Sequence, residues 1–200
     1  MNITFFTRLL LLAGLSLLLG TAPRAVHAQA TYKASGPQNT ITVYGTSTMH
    51  DWNMTAHNFT GEGKFDVSAA NQLTGLTGLI ITVPVHNLKS EHEGMNDNAY
   101  DVLKADKFKE VTFRSTSAKI TAQAGNKYQI VASGTMTISG NSRPVTLTAN
   151  AVLNANGSIG CSGTVPIKFS DFGIDRPSFM LGTLKCGDAL TLNYSATFTK

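Results

Sequence analysis

The stretch from Ser47 to Phe65, STMHDWNMTAHNFTGEGKF, carries the side chains of this chain best suited to chemistry. His50, Asp51 and Trp52 are adjacent, and His57 follows one short strand later. A histidine beside a carboxylate is the pattern of a general base and its orienting partner. With a nucleophile in hydrogen-bond reach it would make a hydrolase. Strand geometry argues against the pair, because consecutive residues on a strand point to opposite faces. No nucleophile elbow or pair of carboxylates accompanies it. His50 therefore reads as a turn residue or as a polar contact at the rim of a pocket, on the face of Trp52 and Met54. The expectation is a protein that is not an enzyme, with a hydrolase using His50 kept as an alternative.

Other clusters are weaker. His86, Glu91, His92 and Glu93 match no standard ligand spacing, so they read as a solvated loop, and neither a metal nor a cofactor is expected. Asp171-Phe172-Gly173 matches the kinase magnesium motif without the glycine-rich and catalytic loops that give it meaning. Cys161 and Cys186 leave two readings open. Two cysteines in an exported chain commonly pair. If the segments 164–172 and 188–198 form a hairpin, however, the two lie toward opposite ends of it, beyond the ~7 Å that a disulfide spans.

The elements that must position these residues follow from period-two alternation. Trp52, Met54 and Ala56 share one face, as do Leu79, Ile81, Val83 and Val85, then Val111 and Phe113, then Gly134, Met136 and Ile138. The runs Val145–Leu153 and Leu190–Phe198 alternate in the same way, with Thr, Ser and Asn between the apolar positions. This is the pattern of half-exposed antiparallel strands. Turn signals at 123–127, 140–144 and 154–158 separate them. About eight strands result, enough to close a small barrel. One segment, Met95–Lys107, changes period: Met95, Ala99, Val102 and Leu103 fall at helical spacing, with acidic residues early and Lys104 and Lys107 late. The fold class is therefore mostly β, an antiparallel barrel with one inserted amphipathic helix.

Residues 1–28 read as a cleaved signal peptide, from Arg8, the apolar run Leu9–Leu19 and the small residues Val26 and Ala28. Residues 29–200 then form a single domain, periplasmic or secreted. Without Arg8 and Arg24 it carries 14 basic against 12 acidic residues. Charged residues are only 14% of the chain, well below the usual quarter. No basic cluster interleaved with aromatics appears, so nucleic acid is not an expected partner. Stable membrane insertion is not expected either, and the oligomeric state is open.

Four stretches taken together resemble the YceI-like family of exported bacterial lipid-binding proteins. They are GTSTMHDW (45–52), MNDNAYDVLKADKFKEVTFRST (95–116), GTMTISGNSRPVTLTA (134–149), and FSDFGID (169–175) followed by GDALTLNYSATF (187–198). Lys109 stands where the family often has a proline after its helix. The resemblance implies an extended, lipocalin-like barrel whose interior holds a long isoprenoid or fatty chain. Combined with the alternation, it puts Trp52, Met54, Ile81, Phe113 and Met136 against that chain and His50 near its polar end. An outer-membrane β-barrel or structural protein is the first alternative, with the same alternation and the faces reversed. Against it stand the lack of aromatic girdles and the charged helix. N-terminal sequencing of exported protein should begin at Gln29 or, second, at Thr31; a chain still starting at Met1 would overturn the leader.

Overall fold

The structure, a computed structural model, describes residues 29–179 and 182–200. The leader expected over 1–28 lies outside the described residues. After β1 (Gln29–Ala34), β2 (Thr40–Ser47) and β3 (Trp52–His57) form a hairpin, and β4 (Thr60–Val67) turns into β5 (Leu73–Pro84). A two-residue β6 (Leu88–Lys89) leads into the helix α1 (Glu93–Leu103). Then β7 (Glu110–Ala122), β8 (Lys127–Ile138), β9 (Asn141–Leu153) and β10 (Ile159–Lys168) run as a meander. A two-residue β11 (Ser178–Phe179) hooks onto the final long strand, β12 (Leu184–Phe198).

All these strands pair antiparallel, in the order β1-β4-β5-β7-β8-β9-β10-β12-β2-β3-β6. The fold is mostly β, as expected, but eleven strands follow one another along the sheet rather than about eight. The strands that the alternation did not mark are β1, β2, β4 and the two-residue β6. Strand twist curls so long a sheet into a barrel-like form. Its first strand meets the tip of β12, where Lys33 N donates to Thr199 O at 2.7 Å and Thr199 N to Lys33 O at 2.9 Å.

The outward face explains the low charge content. Hydroxyl and amide side chains pair across strands there: Thr42 with Thr55 at 3.0 Å, Ser133 with Thr146 at 3.1 Å, Thr164 with Asn193 at 2.9 Å. Short polar side chains at directly opposed positions bond one another and keep the sheet wetted with few charged residues.

Two boundaries differ from the sequence reading. The tight turn expected at 140–144 is Ser139-Gly140, both at positive φ (48° and 78°), and Asn141 already belongs to β9. Such a two-residue turn matches the right-handed twist of its strands. Pro144 therefore sits inside β9. It is tolerated because β10 pairs with β9 only over Ala149–Leu153, leaving the first half of β9 free on that side. The helix spans Glu93–Leu103 instead of reaching Lys107, because Lys104 turns left-handed at φ 53°. Ala105 N then donates to Tyr100 O at 2.9 Å and Lys104 N to Asp101 O at 3.0 Å. These two bonds satisfy the last helical carbonyls and end the helix.

The cysteines are separate thiols, both free and both buried. Cys161 pairs in register with Ala196, and Cys186 lies near the opposite end of that same strand, about 30 Å away at strand rise. Of the two readings left open, two separate buried thiols is the one observed.

Polar bonds fix α1. Asn96 Oδ1 accepts from Ser90 N at 2.7 Å, Tyr100 Oη donates to Leu88 O at 2.8 Å, and Ser139 Oγ donates to Leu103 O at 2.9 Å. Its apolar stripe, Met95, Ala99 and Leu103, packs against the core. Leu103 touches both hydrophobic clusters of the interior. Leu103→Asp should cost about 3 kcal/mol by placing an unpaired carboxylate there or undocking the helix. A urea midpoint equal to that of the wild type would show that the helix contributes nothing to the fold.

Candidate functional site

The interior holds two apolar clusters. One is centred on Tyr32, Phe65, Leu153, Ile159 and Phe198, the other on Phe113, Met136, Val165, Phe172 and Leu190. Val43, Trp52, Leu79, Ile81, Leu103 and Val111 pack against both. Their positions are inward, yet all six remain only partly buried. Side chains of that kind keep accessible surface inside a fold when they front a void. A cavity of about 400 Å³ occupies this region.

The cavity is long. Inward residues of β12 line it at Cys186, Leu190, Leu192, Tyr194, Ala196 and Phe198. From Leu190 to Phe198 alone that is ~27 Å of strand. About 400 Å³ of cavity lies along these strands.

All six residues singled out from the sequence line it: His50, Trp52, Met54, Ile81, Phe113 and Met136. His50 differs in how it arrives there. It lies outside β3, in the exposed connection from β2, so face-sharing with Trp52 along a strand does not place it. Its backbone is held by Ser47: Ser47 Oγ donates to His50 O at 2.7 Å, and His50 N bonds Ser47 Oγ at 3.2 Å. Its ring Nδ1 lies 2.8 Å from the Asp51 carbonyl oxygen, which can only accept, so Nδ1 carries the proton. The Asp51 carboxylate does not orient the ring, and Ser47 spends its hydroxyl proton on a carbonyl. The base–nucleophile geometry of a hydrolase is not formed here.

The polar handles on the walls are turned away from the lumen. Trp52 Nε1 donates to Thr46 O at 3.0 Å, and Tyr194 Oη to Thr148 O at 3.0 Å. Each ring lies over a glycine. A Cβ on Gly45 would collide with the Trp52 indole, and one on Gly163 with the Tyr194 phenol. The missing side chains let both rings lie flat along the wall with their polar atoms on the backbone. What remains toward the lumen is apolar.

Polar lining residues gather near one end. Ser47, His50 and Lys168 sit where β2, β3, β10 and β12 begin or stop. At this end β9 and β10 part company, with Pro144 and Pro166 on the two separated stretches. The segment 169–179 lies across this end, and Phe172, Ile174, Pro177 and Phe179 line the cavity from it.

The sequence reading did not single out several lining residues. His92, read as part of a solvated loop, is the residue preceding α1 and faces the cavity. Phe172, set aside as an accidental motif match, is 1% exposed and packs in the second cluster. Ala149, Cys161 and Ala196 line the far end. Alternation along Val145–Leu153 and Leu190–Phe198 puts Ala149 and Ala196 on the apolar faces, but their small size gave no hint of a wall.

The YceI-like domain model matches residues 25–198, from slightly before the boundary expected at Gln29 nearly to the end of the chain. The chain belongs to the YceI-like family. Among solved structures, it is similar to Burkholderia cenocepacia BcnA, at 20% identity and TM-score 0.64 over 80% of this chain and 96% of that one. A polyisoprenoid binding domain from Saccharophagus degradans, implicated in plant cell wall breakdown, aligns at 10% identity and TM-score 0.63, covering 84% and 97%. The YCEI protein of Campylobacter jejuni aligns at 22% identity and TM-score 0.53, covering 70% and 81%. These likenesses show the fold. No curated protein matches the chain.

Two buried groups on the cavity wall set an alkaline limit. Burial pushes the Cys161 thiol up from 9.0 to about 12. Burial, and secondarily the Cys161 beside it, pushes the Tyr194 phenol from 10.0 to about 12. Both are neutral while protonated, so their contribution is complete below the unfolded values and lost as pH rises through about 12. The urea midpoint should therefore decline from roughly pH 9 upward, and less steeply in Cys161→Ala. Parallel declines in the two proteins would remove the thiol from this account.

Proposed function

We propose that this protein is an exported, periplasmic or secreted binding protein that sequesters one long apolar lipid chain, isoprenoid-like, in the cavity of its curled sheet. The observation that carries the reading is the set of inward but half-buried aliphatic side chains, Val43, Leu79, Ile81 and Val111, around a cavity of about 400 Å³ lined almost wholly by apolar residues. About 0.8 kcal/mol per buried CH₂ would let a long chain bind tightly through apolar contact alone. Trp52, Met54, Ile81, Phe113 and Met136 contact the chain, and His50 lies near its polar end. Nδ1 is engaged by Asp51, which leaves Nε2 for a head group. Family membership supports the same class of ligand, as does the isoprenoid-binding domain among the neighbours.

The membrane-barrel alternative is disfavoured by the outward face. Lys119, Gln129, Thr148, Asn150 and Asn193 point outward on β7, β8, β9 and β12, and all are exposed. The lipid-facing band of an outer-membrane barrel is apolar at such positions.

Met136 tests the cavity. Met136→Trp should fill the lumen and abolish retention of co-purified or added isoprenoid, read by native mass spectrometry, while the protein stays folded. If the site were close-packed core, the same change would overpack it by about 1–3 kcal/mol with no ligand to lose. Destabilisation together with a wild type that binds no lipid would defeat the carrier reading. His50→Ala should weaken retention by about 1 kcal/mol, one hydrogen bond. Unchanged retention would remove His50 from the site and leave the apolar lumen standing.

A further inference from the structure

The cavity has one closed end, and the place where it stops can be read strand by strand. On β8 the lining runs from Ile138 through Met136 and Ala132 to Ile130, and Tyr128 lies beyond it. On β9 it includes Leu147 and Ala149, with Ala151 and Leu153 beyond. On β10 it reaches Cys161, with Ile159 beyond, and on β5 Leu76, with Leu73 beyond. Registers place two pairs of these limits side by side, Ile130 opposite Ala149 and Cys161 opposite Ala196, while Cys161 lies opposite Ala151, one step beyond the limit on β9. The residues just beyond are sealed, with Ala151 and Leu153 at 1% exposure and Ile159 at 0%. Below the void, Phe65 meets Tyr32 edge-on at 5.5 Å and Phe198 at 5.4 Å.

On the side of β9, β10 and β12, the last wall before this floor is built from small side chains, while Ile130 and Leu76 close it from β8 and β5. Ala149, Cys161 and Ala196 come from three neighbouring strands, and Ala132 faces in from β8. Larger residues at these positions would fill the final stretch of the bore. The opposite end holds the polar groups Ser47, His50 and Lys168, so a chain with a polar head enters tail first and its terminus comes to rest here.

We propose that Ala149 and Ala196 are specificity-determining residues that fix the longest lipid chain the cavity accepts, with the Phe65–Phe198 contact as the stop. The proposal rests on the lipid-binding reading and adds to it a length limit set at a named place. A larger side chain at position 196 shortens the lumen from its closed end and leaves the head-group end untouched. A smaller one at 198 lowers the floor.

The test is a chain-length profile with prenyl alcohols of one head group: geraniol, farnesol, geranylgeraniol and a long polyprenol. Binding is measured by Trp52 fluorescence and native mass spectrometry. Wild-type affinity should rise with length and then level off. In Ala196→Leu the levelling should shift to a shorter alcohol. Affinity for the longest accepted chain should fall roughly 50-fold, as about three buried CH₂ groups are lost, while geraniol binds as before. Ala196→Val should give a smaller shift in the same direction, and Phe198→Leu should move the levelling to longer chains, a gain that damaged folding cannot imitate. If Ala196→Leu folds poorly, the profiles of Ala196→Val and Phe198→Leu decide. An unmoved profile in the variants, or an equal loss at every length, overturns the ruler and leaves the lipid reading intact. A wild type that binds none of the alcohols overturns both.

Discussion

Phe65 packs edge-on against Tyr32 on one side and Phe198 on the other, joining β1, β4 and β12 at the place where the curled sheet meets itself. The Lys33–Thr199 hydrogen bonds lie at this same junction. A sheet this long has two edges and an interior too wide for side chains from opposite walls to fill at every level. Closing one end with aromatics supplies the packed core that stability needs. It also leaves the rest of the interior free to remain a void. The cavity's depth, its direction and the separation of polar from apolar lining all depend on that closure.

Above the aromatic floor the walls follow a consistent chemistry. Inward side chains are aliphatic or aromatic, and where an aromatic carries a polar atom, a glycine on the adjacent strand lets the ring lie down and reach a backbone carbonyl. Trp52 over Gly45 and Tyr194 over Gly163 are the two cases that face the lumen. An unpaired N–H or O–H in an apolar lumen would cost a desolvation penalty in the empty state and mismatch a hydrocarbon in the filled one. The arrangement leaves the polar atoms of Trp52 and Tyr194 on the backbone and an apolar surface toward the lumen. Ser47 and His50 are tied to backbone atoms at the rim.

The helix and the segment 169–179 cover the lumen from outside the main run of strands, the segment joined to it only through β11 on β12. α1 is held by polar bonds through Asn96, Tyr100 and the Ser139–Leu103 pair, and its apolar stripe packs inward against the core. Where β9 and β10 separate, Pro144 and Pro166 lack the N–H groups that would otherwise call for a neighbouring strand, and Phe172 fills the space under the gap. Coverage by these two pieces keeps water off a set of residues that the strands alone would leave open.

The sequence by itself determined the strand faces, the helix and the identity of the apolar wall. Those features follow from local periodicity: each of Trp52, Met54, Ile81, Phe113 and Met136 occupies an inward position on its own strand whatever the neighbouring strands do. It also determined where the outward face is polar, since Thr, Ser and Asn alternate with the core positions. Strand count, the helix end and the turn at Ser139-Gly140 were set by longer-range or conformational terms. Lys104 and Ser139 adopt left-handed backbone that their residue types do not advertise. The pairing of β1 with both β4 and the tip of β12 joins residues far apart in the chain, and the register of β10 on β12 decides between the two readings of Cys161 and Cys186. Only the tertiary structure decided whether the inward faces meet. An apolar face reads the same in a close-packed core and around a void. The difference lies in how far apart the curvature of the whole sheet holds the walls.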